Sequence, residues 1–263
     1  MRLCRRLPAA VSALTGVLAA VLVATPAAAF DRTSDSTFGY DVTARARDTL
    51  FTSASAVWNV AAATQHVAGE AGSATTWLSL GGGCVADDCW AVRDPLVATL
   101  GTEAAVSASG AVTYRAWYGG TLGRTTVPLA VAAGDEVRGT IARVPGVAPL
   151  WRLTLENLTA GTSWSTTQAA TKPVALSARF MVETTHYADE FGYTYPTMPT
   201  LADTRFDEIR LNGAAVSLRP EERVWLVAYM DLDVVAAPSS PQPDGDGFGA
   251  CAWATSCAVP PNR

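Results

Sequence analysis

The stretch Val174-Ala175-Leu176-Ser177-Ala178-Arg179-Phe180-Met181-Val182-Glu183 decides how the chain is read. Val174, Leu176, Ala178, Phe180 and Val182 share one parity, and Ala175, Ser177, Arg179, Met181 and Glu183 the other. A period of two belongs to a β-strand, whose successive side chains point to opposite faces. The apolar parity seeks a core, so Glu183 is expected on the opposite sheet surface. The same pattern extends outward. Val112, Tyr114, Ala116 and Tyr118 alternate with Thr113, Arg115 and Trp117. Trp151, Leu153 and Leu155 alternate with Arg152, Thr154 and Glu156.

Turn signals separate these runs. Ala133-Gly134-Asp135 precedes a strand near Glu136, Ala160-Gly161 joins two Thr-rich strands, and Asn212-Gly213 marks a hairpin between Ile209-Arg210-Leu211 and Ala215-Val216. No long stretch has a 3.6-residue apolar period, and no repeat is evident. Many short strands at this spacing make an all-β fold, a sandwich or barrel. Residues 184–204, with Pro196 and Pro199, read as a long irregular loop. Residues 237–249, rich in Pro, Gly, Ser and Asp, read as a surface connection before a last strand.

The N-terminus reads as an export signal. Arg2, Arg5 and Arg6 precede an apolar run from about Ala9 to Val23, and Ala27-Ala28-Ala29 closes it with small side chains. This order is that of a secretory signal peptide over residues 1–29, cleaved after Ala29. The run is shorter than the ~20 residues of a membrane anchor. Residues 30–263 then form a single domain, expected outside the cell and off the membrane. The chain carries 19 basic and 24 acidic residues, a net −5. Without Arg2, Arg5 and Arg6 the balance is 16 against 24, which argues against nucleic acid and anionic lipid as partners.

Four cysteines follow the signal: Cys84, Cys89, Cys251 and Cys257. An oxidising compartment lets them bond, and Cys84–Cys89 with Cys251–Cys257 is the simplest of three pairings. Neither pair has C-x-x-C spacing and only His66 and His186 could assist, so no zinc site is expected. The His186, Asp189 and Glu190 cluster reads as solvated loop. Asp244 and Asp246 lack the bidentate glutamate of a calcium loop. No metal or cofactor is expected.

The order of motifs resembles the glutamic peptidases, or eqolisins. Phe38-Gly39-Tyr40 stands where the family has Trp-Ser-Gly-Tyr. Ser55-Ala56-Val57-Trp58-Asn59-Val60 is similar to its Ser-Ala-x-Trp-x-Val strand. Thr76-Trp77-Leu78-Ser79-Leu80-Gly81-Gly82 resembles its Trp-Val-Gly-Leu/Ile-Asp-Gly strand, and Tyr114-Arg115-Ala116-Trp117-Tyr118 its Tyr-x-Ala-Trp-Tyr-Glu. Leu155-Glu156-Asn157-Leu158-Thr159-Ala160-Gly161 and Arg179-Phe180-Met181-Val182-Glu183 continue the series in register. The resemblance implies an antiparallel β-sandwich of two large sheets, of the concanavalin-like or jelly-roll type. It implies a secreted acid endopeptidase, a monomer acting on unfolded protein or peptide.

In that family a glutamate and a glutamine form the catalytic dyad. The resemblance puts Glu183 at the glutamate, the general acid/base that activates water. The glutamine position falls on Thr99, or on Ala98 if the gap moves by one. Alanine donates nothing, and threonine offers one short hydroxyl in place of an amide's two donors. The family's glutamate after Ala-Trp-Tyr is Gly119 here, its Glu-Trp-Ile-Val-Glu begins with Arg179, and its strand aspartate is Gly81 or Gly82. Trp77 and Trp117, with Phe38 replacing a third tryptophan, are implied to line the substrate groove. Two functions follow: a peptidase with a weakened oxyanion site, or a pseudoenzyme that binds peptide or carbohydrate in the aromatic groove.

Overall fold

The computed structural model describes residues 32–83, 94–120, 123–146, 149–188, 190, 194–228 and 233–262. The expected signal peptide, Cys84, Cys89 and Asp189 lie outside these residues. Strands run in chain order as β1 (Arg32–Ser34), β2 (Thr37–Thr43), β3 (Ser53–Asn59), β4 (Ala63–Thr64), β5 (Gly72–Leu80), β6 (Ala98–Val106) and β7 (Val112–Gly120). There follow β8 (Gly123–Thr126), β9 (Glu136–Arg143), β10 (Leu150–Asn157), β11 (Thr162–Ala169), β12 (Ser177–Thr184), β13 (His186–Ala188) and β14 (Thr194–Pro196). The last are β15 (Thr200–Leu201), β16 (Thr204–Leu211), β17 (Ala214–Ala215), β18 (Arg223–Val227), β19 (Val234–Pro238) and β20 (Phe248–Ala252). The helical pieces among the described residues are one turn at Ala44–Arg47 and a 3-10 turn at Pro220–Glu222.

The hydrogen-bonded order is β11-β10-β9-β3-β16-β20-β19-β18-β2-β12-β5-β6-β7-β8. The path folds over on itself. One layer, β11 to β16, packs face to face on the other, β2 to β8, with β3 against β5 and β10 against β6. The fold is therefore an antiparallel β-sandwich whose layers are continuous through β20, β19 and β18. Its core takes Phe38, Tyr40 and Val42 from β2, Leu78 and Leu80 from β5, and Phe180 and Val182 from β12. Trp151, Leu153 and Leu155 of β10 and Phe206 of β16 complete it from the facing layer. Each fully buried side chain of this size contributes about 1.5–3 kcal/mol.

Close approach of the layers depends on a missing side chain. A Cβ at Gly139 would lie 2.5 Å from Leu100 Cδ1 and 2.6 Å from Trp58 Cη2. Trp58 in turn donates from Nε1 to Thr102 Oγ1 across the core at 2.9 Å. The Asn212-Gly213 hairpin forms as expected, with both residues at positive φ and Leu211 paired to Ala214. Two expectations need correction. Residues 184–204 are not irregular throughout, since they hold β13, β14 and β15. Residues 237–249 are not wholly a surface connection: Ala237 and Pro238 end β19, and Ser239 and Gln242 are buried. The Ser239 and Gln242 side chains bond Ser240 O and Pro261 O, so polar composition here marks a folded-in turn.

Within that turn Asp246 is half-buried beside two more carboxylates. Desolvation raises its pKa to about 6, reinforced by Asp244 and Asp207 and partly offset by Arg210. The folded state therefore holds a proton that the unfolded chain releases near pH 3.8. The resulting stabilisation is complete below that pH and is lost as pH rises through about 6. Thermal melts from pH 3 to 7 should show this decline, and Asp246→Asn should flatten it. Gly139→Ala should destabilise the domain by about 1–3 kcal/mol in urea titrations, because its methyl overpacks Leu100 and Trp58.

Candidate active site

The outer face of the β2-to-β8 layer carries the candidate site. Strand register aligns its side chains in three rows. The first runs Asp41, Arg179, Ser79, Thr99, Gly119, Arg124. The second runs Gly39, Met181, Trp77, Gly101, Trp117, Thr126. The third runs Thr37, Glu183, Thr75, Glu103, Arg115. The middle row is an apolar floor in which Trp77, Trp117 and Met181 cluster with Val224 of the neighbouring β18. Gly101 lies between the two tryptophans because its Cβ would strike Thr76 O at 2.4 Å and Trp77 Cβ at 2.7 Å.

The face is a trough. Arg124 and Glu183 sit on β8 and β12, four strands apart in the sheet. On a flat sheet that gap is about 19 Å, beyond the combined reach of the two side chains. Yet Arg124 Nη2 donates to Glu183 Oε2 at 2.5 Å, so the sheet must curl to bring its far edge over. The guanidinium crosses above Trp117, 4.3 Å from the ring centroid, and Nη1 also reaches Thr75 Oγ1 at 3.4 Å. Both side chains of the pair remain open to solvent, 40% and 32% exposed.

A second arginine lies over the other tryptophan. Arg179 stands 5.0 Å from the Trp77 centroid and approaches Asp41 at 4.0 Å. Trp77 and Trp117 are thus nearly covered, at 5% and 2% exposure. Their Nε1 atoms are buried without a hydrogen-bond partner among the described residues. Glu103 is a second carboxylate on the face. Arg115 donates to both its oxygens, from Nε at 3.0 Å and Nη2 at 2.8 and 2.9 Å, so this carboxylate is held in a fixed pair.

The sequence-derived residues divide. Glu183, Trp77, Trp117 and Thr99 share this face. Ala98 pairs with Leu80 on the opposite parity and is buried in the core, so Thr99 alone of the two candidates looks into the trough. Thr99 and Glu183 stand in the first and third rows of the same face. In register they are two strands and four residues apart. The Thr99 hydroxyl donates to Leu78 O at 3.1 Å. Phe38 requires correction: it pairs with Val182 on the core parity and is fully buried between the layers. It is not part of the groove, because Gly39 is the β2 residue facing it. Cys251 and Cys257 form a disulfide. Sequence reading passed over Glu103 and Arg124; parity with Thr99 marks Glu103, but no local signal marks Arg124, whose contact spans four strands.

The profile of the Peptidase A4 family matches residues 36–221. Scytalido-glutamic peptidase, solved with a transition state analog inhibitor, superposes with a TM-score of 0.57 at 17% identity, covering 83% of this chain and 98% of that one. SCP-B, an eqolisin solved with the tripeptide Ala-Ile-His, gives 0.53 at 17% identity with the same coverage. At that identity the likeness is one of fold. No curated protein matches the chain.

Proposed function

This chain belongs to the peptidase A4 family, and we propose that it is an exported glutamic-peptidase-type hydrolase that cleaves peptide bonds at acidic pH. One observation carries the reading: Glu183 stands at the wall of a curled sheet whose floor is Trp77, Met181 and Trp117. An extended peptide laid along such a trough would turn apolar side chains toward the floor and set its backbone beside the carboxylate. Glu183 takes a proton from water, whose oxygen bonds to the scissile carbonyl carbon. It then returns the proton to the departing amide nitrogen as the C–N bond breaks. Unfolded protein or peptide is the substrate, and the protein works as a monomer outside the cytoplasm.

A second reading rests on Thr99. Its hydroxyl is engaged with Leu78 O and cannot serve as the lost glutamine does in relatives. Loss of one oxyanion donor costs on the order of 10²–10³ in rate. On this reading the chain is a pseudoenzyme that holds peptide or carbohydrate over Trp77 and Trp117.

Cleavage of an unfolded protein from pH 2 to 7 separates the two. The peptidase reading expects turnover that falls by roughly 10²–10⁴ in Glu183→Gln, the usual worth of a positioned acid/base. Turnover equal in the variant contradicts the role of Glu183. An inert wild type that binds the same peptide in calorimetry favours the second reading.

A further inference from the structure

We propose that Arg124 is the anion-binding donor of this site and does the work of the missing glutamine; the inference rests on the peptidase reading above. The glutamine position is Thr99, and Arg124 lies in the same row of the face: Thr99 pairs with Gly119, and Gly119 with Arg124. Its side chain leaves that row, crosses Trp117 and ends on Glu183. A cationic donor therefore stands where a tetrahedral oxyanion beside Glu183 would form. Thr99 supplies none, since its one proton is given to Leu78 O.

The chemistry of the guanidinium suits the role. Arginine has five N–H donors in a fixed fork and stays charged at every working pH. Arg124 uses Nη2 on Glu183 and Nη1 on Thr75, and its further N–H groups have no partner among the described residues. The indole beneath fixes the height of the guanidinium above the floor, and cation–π attraction holds it there. Half-exposed, it is open to a ligand entering the trough.

Two departures from the family pattern become one. The position after Ala116-Trp117-Tyr118, a glutamate in relatives, is Gly119. A Cβ there would lie 2.5 Å from Gly123 O, the backbone of the paired strand β8. Only glycine lets β8 pair this closely, and β8 carries Arg124. Loss of the glutamate and arrival of the arginine are thus structurally linked.

In the reaction, water oxygen bonds to the carbonyl carbon while Glu183 takes its proton. The carbonyl π pair moves onto oxygen, and that oxyanion accepts from Arg124. When Glu183 protonates the amide nitrogen, the oxyanion pair re-forms C=O and the C–N pair leaves with nitrogen. The products are a carboxylic acid and an amine, with one water consumed.

The test measures two things on wild type, Arg124→Ala and Arg124→Gln, each checked for fold by circular dichroism. One is kcat and KM for peptide cleavage. The other is calorimetric affinity for a phosphinate peptide and for its matched amide peptide. The expected result is a 10²–10³-fold loss in kcat for Arg124→Ala with KM little changed. Arg124→Gln, which keeps a neutral amide donor, should recover part of it. The phosphinate should lose at least tenfold in affinity for Arg124→Ala while the amide peptide does not. Equal or faster cleavage by Arg124→Ala overturns the proposal and makes Arg124 a latch over Glu183, leaving the peptidase reading intact. A wild type that cleaves nothing, yet prefers phosphinate only when Arg124 is present, overturns the peptidase reading and keeps the anion site. Phosphinate affinity indifferent to Arg124 overturns the inference in either case.

Discussion

The pairing of β12 between β2 and β5 fixes, residue by residue, which side chains meet in the core and which reach the trough. Phe180 stands between Tyr40 and Leu78, and Val182 between Phe38 and Thr76. Met181 and Glu183 must then point the other way, since strand geometry allows no third direction. A slip of one residue would put Glu183 into a core of phenylalanine and leucine and expose Phe180. Burying a carboxylate without a partner costs several kcal/mol, so the core itself enforces the position of the site. The same register carries across β5, β6 and β7, and it sets Trp77, Gly101 and Trp117 in one row.

Curvature adds what register cannot. Arg124 is remote from Glu183 both in sequence and along the sheet, and only the curl of the layer closes the gap. The trough thereby acquires a cation above its floor, and a second one where Arg179 lies on Trp77. The apolar floor is roofed by charged side chains, each tied to a carboxylate at the margin, Glu183 or Asp41. A peptide entering the trough competes with these contacts. The exposed Arg124–Glu183 pair is the easier to reopen, because surface ion pairs contribute little net stability.

Much of this was legible in the sequence. Alternation over residues 177–183 marked the strand and the outward aim of Glu183, but residues 174–176 precede the strand and it is Ala175 that enters the core there; Asn212-Gly213 marked its hairpin. Parity within Thr113, Arg115 and Trp117 correctly opposed Tyr114 and Ala116. Phe38 misled because a motif places a residue along a strand but not on a face, and the neighbouring glycine is the one that faces the trough. The register that sets Thr99 two strands and four residues from Glu183 was also hidden, since register between strands is a property of pairing and not of either strand. Arg124 was beyond reach of local reading altogether: its role arises from sheet curl, which no short motif encodes. The prolines and glycines of 237–249 suggested solvent, while the turn folds in and the Ser239 and Gln242 side chains donate to backbone carbonyls.

In the proposed reaction Glu183 and Arg124 together hold the reacting group above the tryptophan floor. A crystal structure of the protein with a phosphinate peptide, grown at acidic pH, tests it most directly. The peptide is expected along the trough over Trp77 and Trp117, with one phosphinate oxygen within hydrogen-bond distance of the Arg124 guanidinium and another beside the Glu183 carboxyl. A peptide bound elsewhere, or a phosphinate held in the trough by groups other than Arg124 and Glu183, would contradict it.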